Sequence, residues 1–342
     1  MEKLISFAVP SYNSEAYMRK CIDSLLSGGE EVEIIIVDDG STDGTGAIAD
    51  EYASRYPAIC RAVHQENGGH GEGVNQGVRL ARGLYYKVVD SDDWVDEGAL
   101  SELLATVRRH REENALPDMY ITNFIYDRIS DGQSFTRRYV KNMPVGETFG
   151  WDRVKPFRGS SVLLMHALMY SVRVLRECGL ELPKHTFYVD NIFAYVPLPY
   201  VKTMYYLDID LYHYYIGRVD QSVNIASFSK RTDQQNRVML IMAEAYDLRE
   251  LKKREPRLAK YMLHTLACLM IITITFSVAV PSKEKYAALR EVWAKIKEKD
   301  KWLYGKLRYR HYPALHTYFP RPIGRAIIVS GYRATCRKVK LG

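Results

Sequence analysis

Hydrophobic positions at the start of the chain fall into short runs separated by stretches of helical spacing. Leu4–Val9 is an apolar run ending at Pro10, and Val32–Val37 (VEIIIV) is continuously apolar and β-branched but for Glu33. A run of that kind fits a strand buried on both faces. Ile59–His64 and Leu84–Val89 read as further strands, and Glu15–Leu26, Thr42–Tyr56 and Gly71–Arg82 as the helices between them. Single helices between strands imply right-handed crossovers and a doubly wound, mostly parallel α/β sheet. Ligands bind such sheets beyond the carboxyl ends of the strands, so the residues following each strand matter most.

The later pattern is less regular. Met119–Tyr126 and Ser134–Val140 read as strands about the turn Ser130-Asp131-Gly132, and Leu163–Tyr170 as another. From Ser229 the chain reads as mainly helical. Ala267–Val280 is almost uncharged and, with Tyr261–Leu266, approaches the length of a membrane span. His264, Thr265, Thr273, Thr275 and Ser277 dilute it, so a buried helix is the preferred reading, with membrane contact second. The expected organisation is one α/β domain over residues 1–225, with halves 1–115 and 116–225, followed by a helical region over 226–342.

Composition narrows the class. A chain of 342 residues with 47% hydrophobic and 26% charged side chains is globular, which excludes disordered, collagen-like and disulfide-scaffold proteins. Its five cysteines show no C-x-x-C spacing, which argues against a zinc site and suits a reducing compartment. Met1–Lys3 leads directly into a strand, so the chain reads as cytoplasmic. Charge is uneven: from Lys283 onward there are 16 Lys and Arg against 4 Asp and Glu, on an otherwise mildly acidic body. That balance points to an anionic partner.

Four polar clusters follow the four strands: Pro10-Ser11-Tyr12-Asn13, Asp38-Asp39-Gly40-Ser41-Thr42-Asp43, Gln65-Glu66-Asn67-Gly68-Gly69-His70-Gly71 and Asp90-Ser91-Asp92-Asp93. Carboxylates spaced D-x-D at a strand end can present oxygens to Mg²⁺ or Mn²⁺, which neutralise a departing diphosphate. The alternative is that Asp92 or Asp93 caps the next helix. The glycine run around His70 offers bare backbone for close approach of a ligand. It is neither a dinucleotide fingerprint nor a P-loop.

Together VPSYN (Val9–Asn13), IIIVDDGSTD (Ile34–Asp43), QENGG (Gln65–Gly69) and VVDSDDW (Val88–Trp94) resemble the signature of family 2 glycosyltransferases. The resemblance implies a GT-A fold and an inverting transfer from a nucleotide-sugar, a UDP-sugar first among them. It places Pro10, Tyr12, Asp39 and Asn67 around the nucleotide, with Tyr12 against the base and Asp39 at the uracil edge. Asp92 becomes the leading metal ligand, Asp90 lies nearer the ribose and Asp93 is a second contact, with Mn²⁺ or Mg²⁺ as cofactor. Val74 stands where the family often has Arg before the Asn of its N-x-G, and His70 and Lys87 are the candidate replacements for that cation.

Inverting transfer to a hydroxyl needs a general base opposite the leaving group. Phe187–Phe193 (FYVDNIF) resembles the family's short acidic motif, which makes Asp190 the base; capping of the following helix is the bland alternative. Asp208 and Asp210 in LDIDLY are weaker candidates, read as exposed acids on a strand. Further on, the resemblance extends to a loop ending in Arg218-Val219-Asp220-Gln221-Ser222, which sets Arg218 toward the diphosphate. His213 is the candidate further metal ligand, Met165-His166 lines the acceptor side, and Trp94, Trp151 and Tyr188 are sugar platforms unless they pack in the core. The implied acceptor is a glycan or lipid-linked hydroxyl in cell-envelope or capsular polysaccharide synthesis.

Lys295–Arg310 mixes cations with Trp302, Tyr304 and Tyr309, which suits peripheral contact with an anionic membrane at its inner face. Nucleic acid is disfavoured as a partner, because no nucleic-acid motif accompanies the charge. A nucleotidyltransferase would need a glycine-rich basic loop after the first strand, which is lacking. The alternative function is a non-catalytic nucleotide- or glycan-binding scaffold of the same fold.

Overall fold

Every residue of Ile5–Ser11 (β1) and Val32–Asp38 (β2) is buried, as their mostly apolar patterns lead one to expect. The structure is a computed structural model and describes residues 2–128, 132–216, 231–318 and 321–338. Met18–Leu26 (α1) and Thr45–Arg55 (α2) follow β1 and β2. Cys60–His64 (β3), His70–Leu80 (α3) and Tyr85–Val88 (β4) complete a four-stranded parallel core.

Trp94–Val95 (β5), Glu97–Glu112 (α4), Met119–Arg128 (β6), Ser134–Arg137 (β7) and Thr148–Phe149 (β8) come next. They are followed by Leu168–Ser171 (β9), Val172–Glu177 (α5), Asp190–Tyr195 (α6) and Met204–Ile216 (β10). The sheet order is β3-β2-β1-β4-β9-β6-β10-β5, with β7 on β6 and β8 on β10. β6 and β10 are parallel, but β9 lies antiparallel between β4 and β6. The sheet is thus a parallel half joined to a mixed half, with helices on its faces.

Two details differ from the sequence pattern. The strand expected over Leu163–Tyr170 forms only from Leu168, because Met165–Ala167 makes a tight helical turn. Asp208 and Asp210 are half-buried rather than exposed. The register of β10 against β6 slips between Tyr206 and Tyr212, and Asn123 Nδ2 donates to both acids at 2.7 and 2.8 Å. Arg138 pairs with both at 3.2 Å, so these acids are spent on structure.

The described residues form two units, one drawn from Met1–Lys155 and Leu163–Ile216, the other from Pro156–Val162 and Gly217–Gly342. The boundary expected at 225/226 lies outside the described residues. The second unit is helical: Thr232–Glu244 (α7), Leu248–Arg254 (α8), Pro256–Ala279 (α9), Lys283–Lys299 (α10), Lys301–Tyr309 (α11), Ala314–Tyr318 (α12) and Arg321–Lys338 (α13). Side chains of Asp247, Ser282 and Asp300 cap α8, α10 and α11, which separates segments of otherwise continuous helical character.

The apolar helix α9 is long enough to cross a bilayer, yet two thirds of its most apolar window is buried within the structure. No residue from Tyr261 to Ala279 is exposed. Its diluting polar groups are satisfied in place: Thr273, Thr275 and Ser277 donate to carbonyls one turn back, and Gln235 of α7 donates to Thr273 at 3.1 Å. The preferred reading of a packed helix is the arrangement seen.

Candidate active site

The turn after β4 carries the densest charge. Asp90 Oδ1 lies 2.8 Å from His70 Nε2, at the first residue of α3. Asp93 is 1% exposed; its Oδ2 accepts from the Tyr212 hydroxyl at 2.5 Å and its Oδ1 from the Tyr215 N–H at 2.8 Å. Burial, with Asp92 and Asp90 beside it, pushes the Asp93 carboxyl well above its ordinary range. Helix capping does not account for these acids. Asp96, further along, caps α4 by accepting from the Ala99 N–H at 2.8 Å.

Asp90, Asp93 and His166 offer donor atoms that all lie within 4.8 Å of one another. His166 Nδ1 is buried without a hydrogen-bond partner, and burial lowers this imidazole to about 4, so it is neutral. Two carboxylates and a neutral imidazole suit a divalent cation such as Mn²⁺. Asp92 stands half-buried on the same turn, outside that set. His213 is also outside it: its Nδ1 meets Asp127 Oδ2 at 2.5 Å, and its ring stacks on Trp94 at 5.1 Å. Sequence reasoning gave His166 to the acceptor side. Its signal as a donor is the orphaned nitrogen, which only the fold reveals.

The nucleotide candidates separate by exposure. Tyr12 is 53% exposed and Asn67 is also exposed, whereas Asp39 is only 3% exposed. Asp39 Oδ1 accepts from Gln65 Nε2 at 2.7 Å and from the Gly68 N–H at 2.8 Å, and its Oδ2 accepts from the Gly69 N–H at 2.8 Å. Asn67 Nδ2 donates to the Asp39 carbonyl at 2.9 Å. Asp39 therefore orders the QENGG turn. Pro10 is buried under α3, where a Cβ on Gly73 would come within 2.9 Å of its ring.

Of the two replacement cations, Lys87 is fully buried and donates to the carbonyls of His166 and Leu168 at 2.6 and 3.3 Å. Burial lowers its ammonium to about 7, and it braces β4 against the preceding turn of β9. His70 is the one that stands at the acidic turn. Trp151 is a core residue whose indole N–H donates to the Val201 carbonyl at 2.9 Å. Arg218 lies outside the described residues.

The glycine run has a use that the sequence did not suggest. At Gly69 and Gly71 it admits the protein's own chain. Gly69 holds φ +81°, and a Cβ there would lie 3.0 Å from the His185 nitrogen. The His185 N–H donates to the Gly68 carbonyl at 2.7 Å. A Cβ on Gly71 would meet the Pro183 carbonyl at 3.0 Å. Asn75 exchanges two 2.9 Å hydrogen bonds with the Leu182 backbone, which clamps the segment's start. The segment carries two left-handed residues, His185 at φ 48° and Tyr188 at φ 67°, and ends at Asp190, the first residue of α6.

Asp190 thereby enters the field of Asp90 and His70. Burial raises its carboxyl to about 6, with His70 pulling it down and Asp90 pushing it up. A strained backbone beside a desolvated acid is the arrangement expected of a functional site. Gly69→Ala is expected to destabilise the fold by about 1–3 kcal/mol, because alanine tolerates that φ poorly and its methyl would press on His185. Thermal melting would register it; an unchanged melting temperature would mean that the 183–189 segment does not need this seat.

Residues 6–169 match the family model described as Glycosyl transferase family 2. Glycosyltransferase GlyG of Streptococcus pneumoniae is 39% identical over 137 residues, covering 40% of this chain and 44% of that protein. The minor teichoic acid biosynthesis protein GgaB of Bacillus subtilis is 34% identical over 111 residues, covering 32% of this chain and 12% of that protein. The chain spans 60% and 38% of the lengths of the Bacillus subtilis relatives EpsH and EpsJ. In structure it is similar to S. aureus TarS 1-349 in complex with UDP-GlcNAc, at TM-score 0.66 and 18% identity, over 97% of this chain and 92% of that one. Residues 6–169, just under half of the chain, thus match glycosyl transferase family 2, and the chain shares the GT-A fold of the structure it resembles.

Proposed function

We propose that the chain is an inverting transferase that moves a sugar from a UDP-sugar to a hydroxyl of a glycan or lipid-linked acceptor. Its setting would be cell-envelope polysaccharide synthesis, the field in which the relative GgaB is named. One observation carries the reading: the desolvated carboxyl of Asp190 shares the acidic turn's field with Asp90 and His70.

In this reading the exposed Tyr12 and Asn67 receive the base, and Asp39 holds the turn that carries Asn67. Asp90 and Asp92, the half-buried acids of the turn, hold Mn²⁺ or Mg²⁺, with Asp93 and His166 as the buried layer behind them. When bound, the cation neutralises charge on the leaving nucleotide diphosphate. Asp190 accepts the proton of the acceptor hydroxyl as that oxygen bonds to the anomeric carbon, opposite the departing diphosphate. Arg218 is assigned to the diphosphate on sequence alone.

The test is nucleotide release from UDP-, GDP-, dTDP- and CMP-sugars with and without Mn²⁺. Mn²⁺-dependent release from a UDP-sugar is expected. No release and no UDP binding would overturn the reading in favour of a scaffold that binds glycan.

A further inference from the structure

Large hydrophobic side chains are exposed at thirteen described positions, and five of these lie between 309 and 323: Tyr309, Tyr312, Leu315, Tyr318 and Ile323. The others are spread along the remaining chain, as single exposed hydrophobics are in any protein. These five lie on or between the successive helices α11, α12 and α13, and two of them meet. The Tyr318 hydroxyl donates to the Tyr309 carbonyl at 3.1 Å, and the two rings lie 6.3 Å apart. Leu307, Ala314 and Ile328 are buried, so α11, α12 and α13 each carry packed as well as exposed hydrophobic residues.

The exposed residues coincide only in part with the stretch singled out in the sequence: Tyr309 is exposed as expected. Trp302 and Tyr304, expected as interfacial aromatics, are half-buried: Lys306 lies over the Trp302 ring at 5.4 Å and Lys297 over Tyr304 at 5.6 Å. The bare residues are the later ones. Lys301 and Arg310 are exposed on the same stretch of chain, which from Lys283 onward has 16 basic against 4 acidic residues.

The character of the patch selects its occupant. A second copy of the chain across a two-fold axis would bring these cationic rims together. Nucleic acid would be held by the cations and would leave Leu315 and Ile323 bare in water. An anionic bilayer satisfies both: tyrosines at the headgroup level, Leu315 and Ile323 at the acyl boundary, and Lys and Arg on the lipid charge. We propose that the exposed Tyr309, Tyr312, Leu315, Tyr318 and Ile323 dock on an anionic lipid bilayer, lying on it without crossing it.

The experiment is co-sedimentation of the full chain with phosphatidylglycerol–phosphatidylcholine vesicles, and with phosphatidylcholine alone, at low and high salt. Binding is expected only to the anionic vesicles, weakened by salt. L315Q/I323Q is expected to lower the partition coefficient at least about tenfold, and K301Q/R310Q to do likewise at low salt. All four positions avoid the buried core, and unchanged circular dichroism and melting would show that the fold is kept. Equal binding by L315Q/I323Q, equal binding to neutral vesicles, or no binding at all would overturn the proposal. So would DNA binding that outcompetes the vesicles, or a dimer that L315Q/I323Q dissolves. None of these readouts uses donor chemistry, so this proposal and the assigned activity fail independently.

Discussion

Asp190→Asn is expected to lower kcat by about 10²–10⁴-fold, the usual contribution of a positioned general base, while leaving UDP affinity in place. The same substitution is expected to make the fold more stable at pH 8. The folded carboxyl titrates at about 6 against an ordinary 3.8, so across that window the native state holds a proton that the unfolded chain has released. Stability therefore falls as pH rises through the window, by about 1–3 kcal/mol in total, and an amide removes the loss. Melting curves at pH 4 and pH 8 would separate the two states: the mutant should gain only at the higher pH. In the wild type, kcat should fall about tenfold per unit below pH 6, because the base must be ionised. Normal turnover by the mutant would remove Asp190 from the mechanism.

Asp92→Ala is expected to abolish the gain in UDP affinity produced by Mn²⁺ and to reduce kcat/KM by about 10²–10⁴-fold, as losing a several-kcal/mol charge partner implies. Titration calorimetry with UDP, with and without the ion, reads the first effect directly. His166→Gln serves as the comparison. If it removes the Mn²⁺ response and Asp92→Ala does not, the ion belongs to the set of Asp90, Asp93 and His166 rather than to Asp90 with Asp92.

The parallel half of the sheet was legible because its central strands are mostly apolar and its helices keep their spacing. Residues at the strand ends could be named from their order alone. What could not be read was which of them face a ligand. Asp39 has the residue type of a base contact, yet its carboxylate is spent on Gln65, Gly68 and Gly69. Lys87 has the charge to replace an arginine, but β4 carries it into the core. His166 was hidden because sequence distance masks its place beside Asp90 and Asp93. The antiparallel insertion of β9 was illegible for a related reason: four residues of strand carry no direction in their pattern.

The seat formed by Gly69 and Gly71 for the 183–189 segment has a consequence for engineering. A chimaera that imported a foreign acceptor loop into residues 182–190 would inherit a backbone shaped for some other neighbour. It could close only on a run that is bare at the matching positions. Conversely, a donor turn transplanted without Pro183–Val189 would leave bare glycines facing water. Specificity grafts between enzymes of this kind should therefore exchange residues 67–75 and 182–190 as one cassette, with Asn75 included as its clasp.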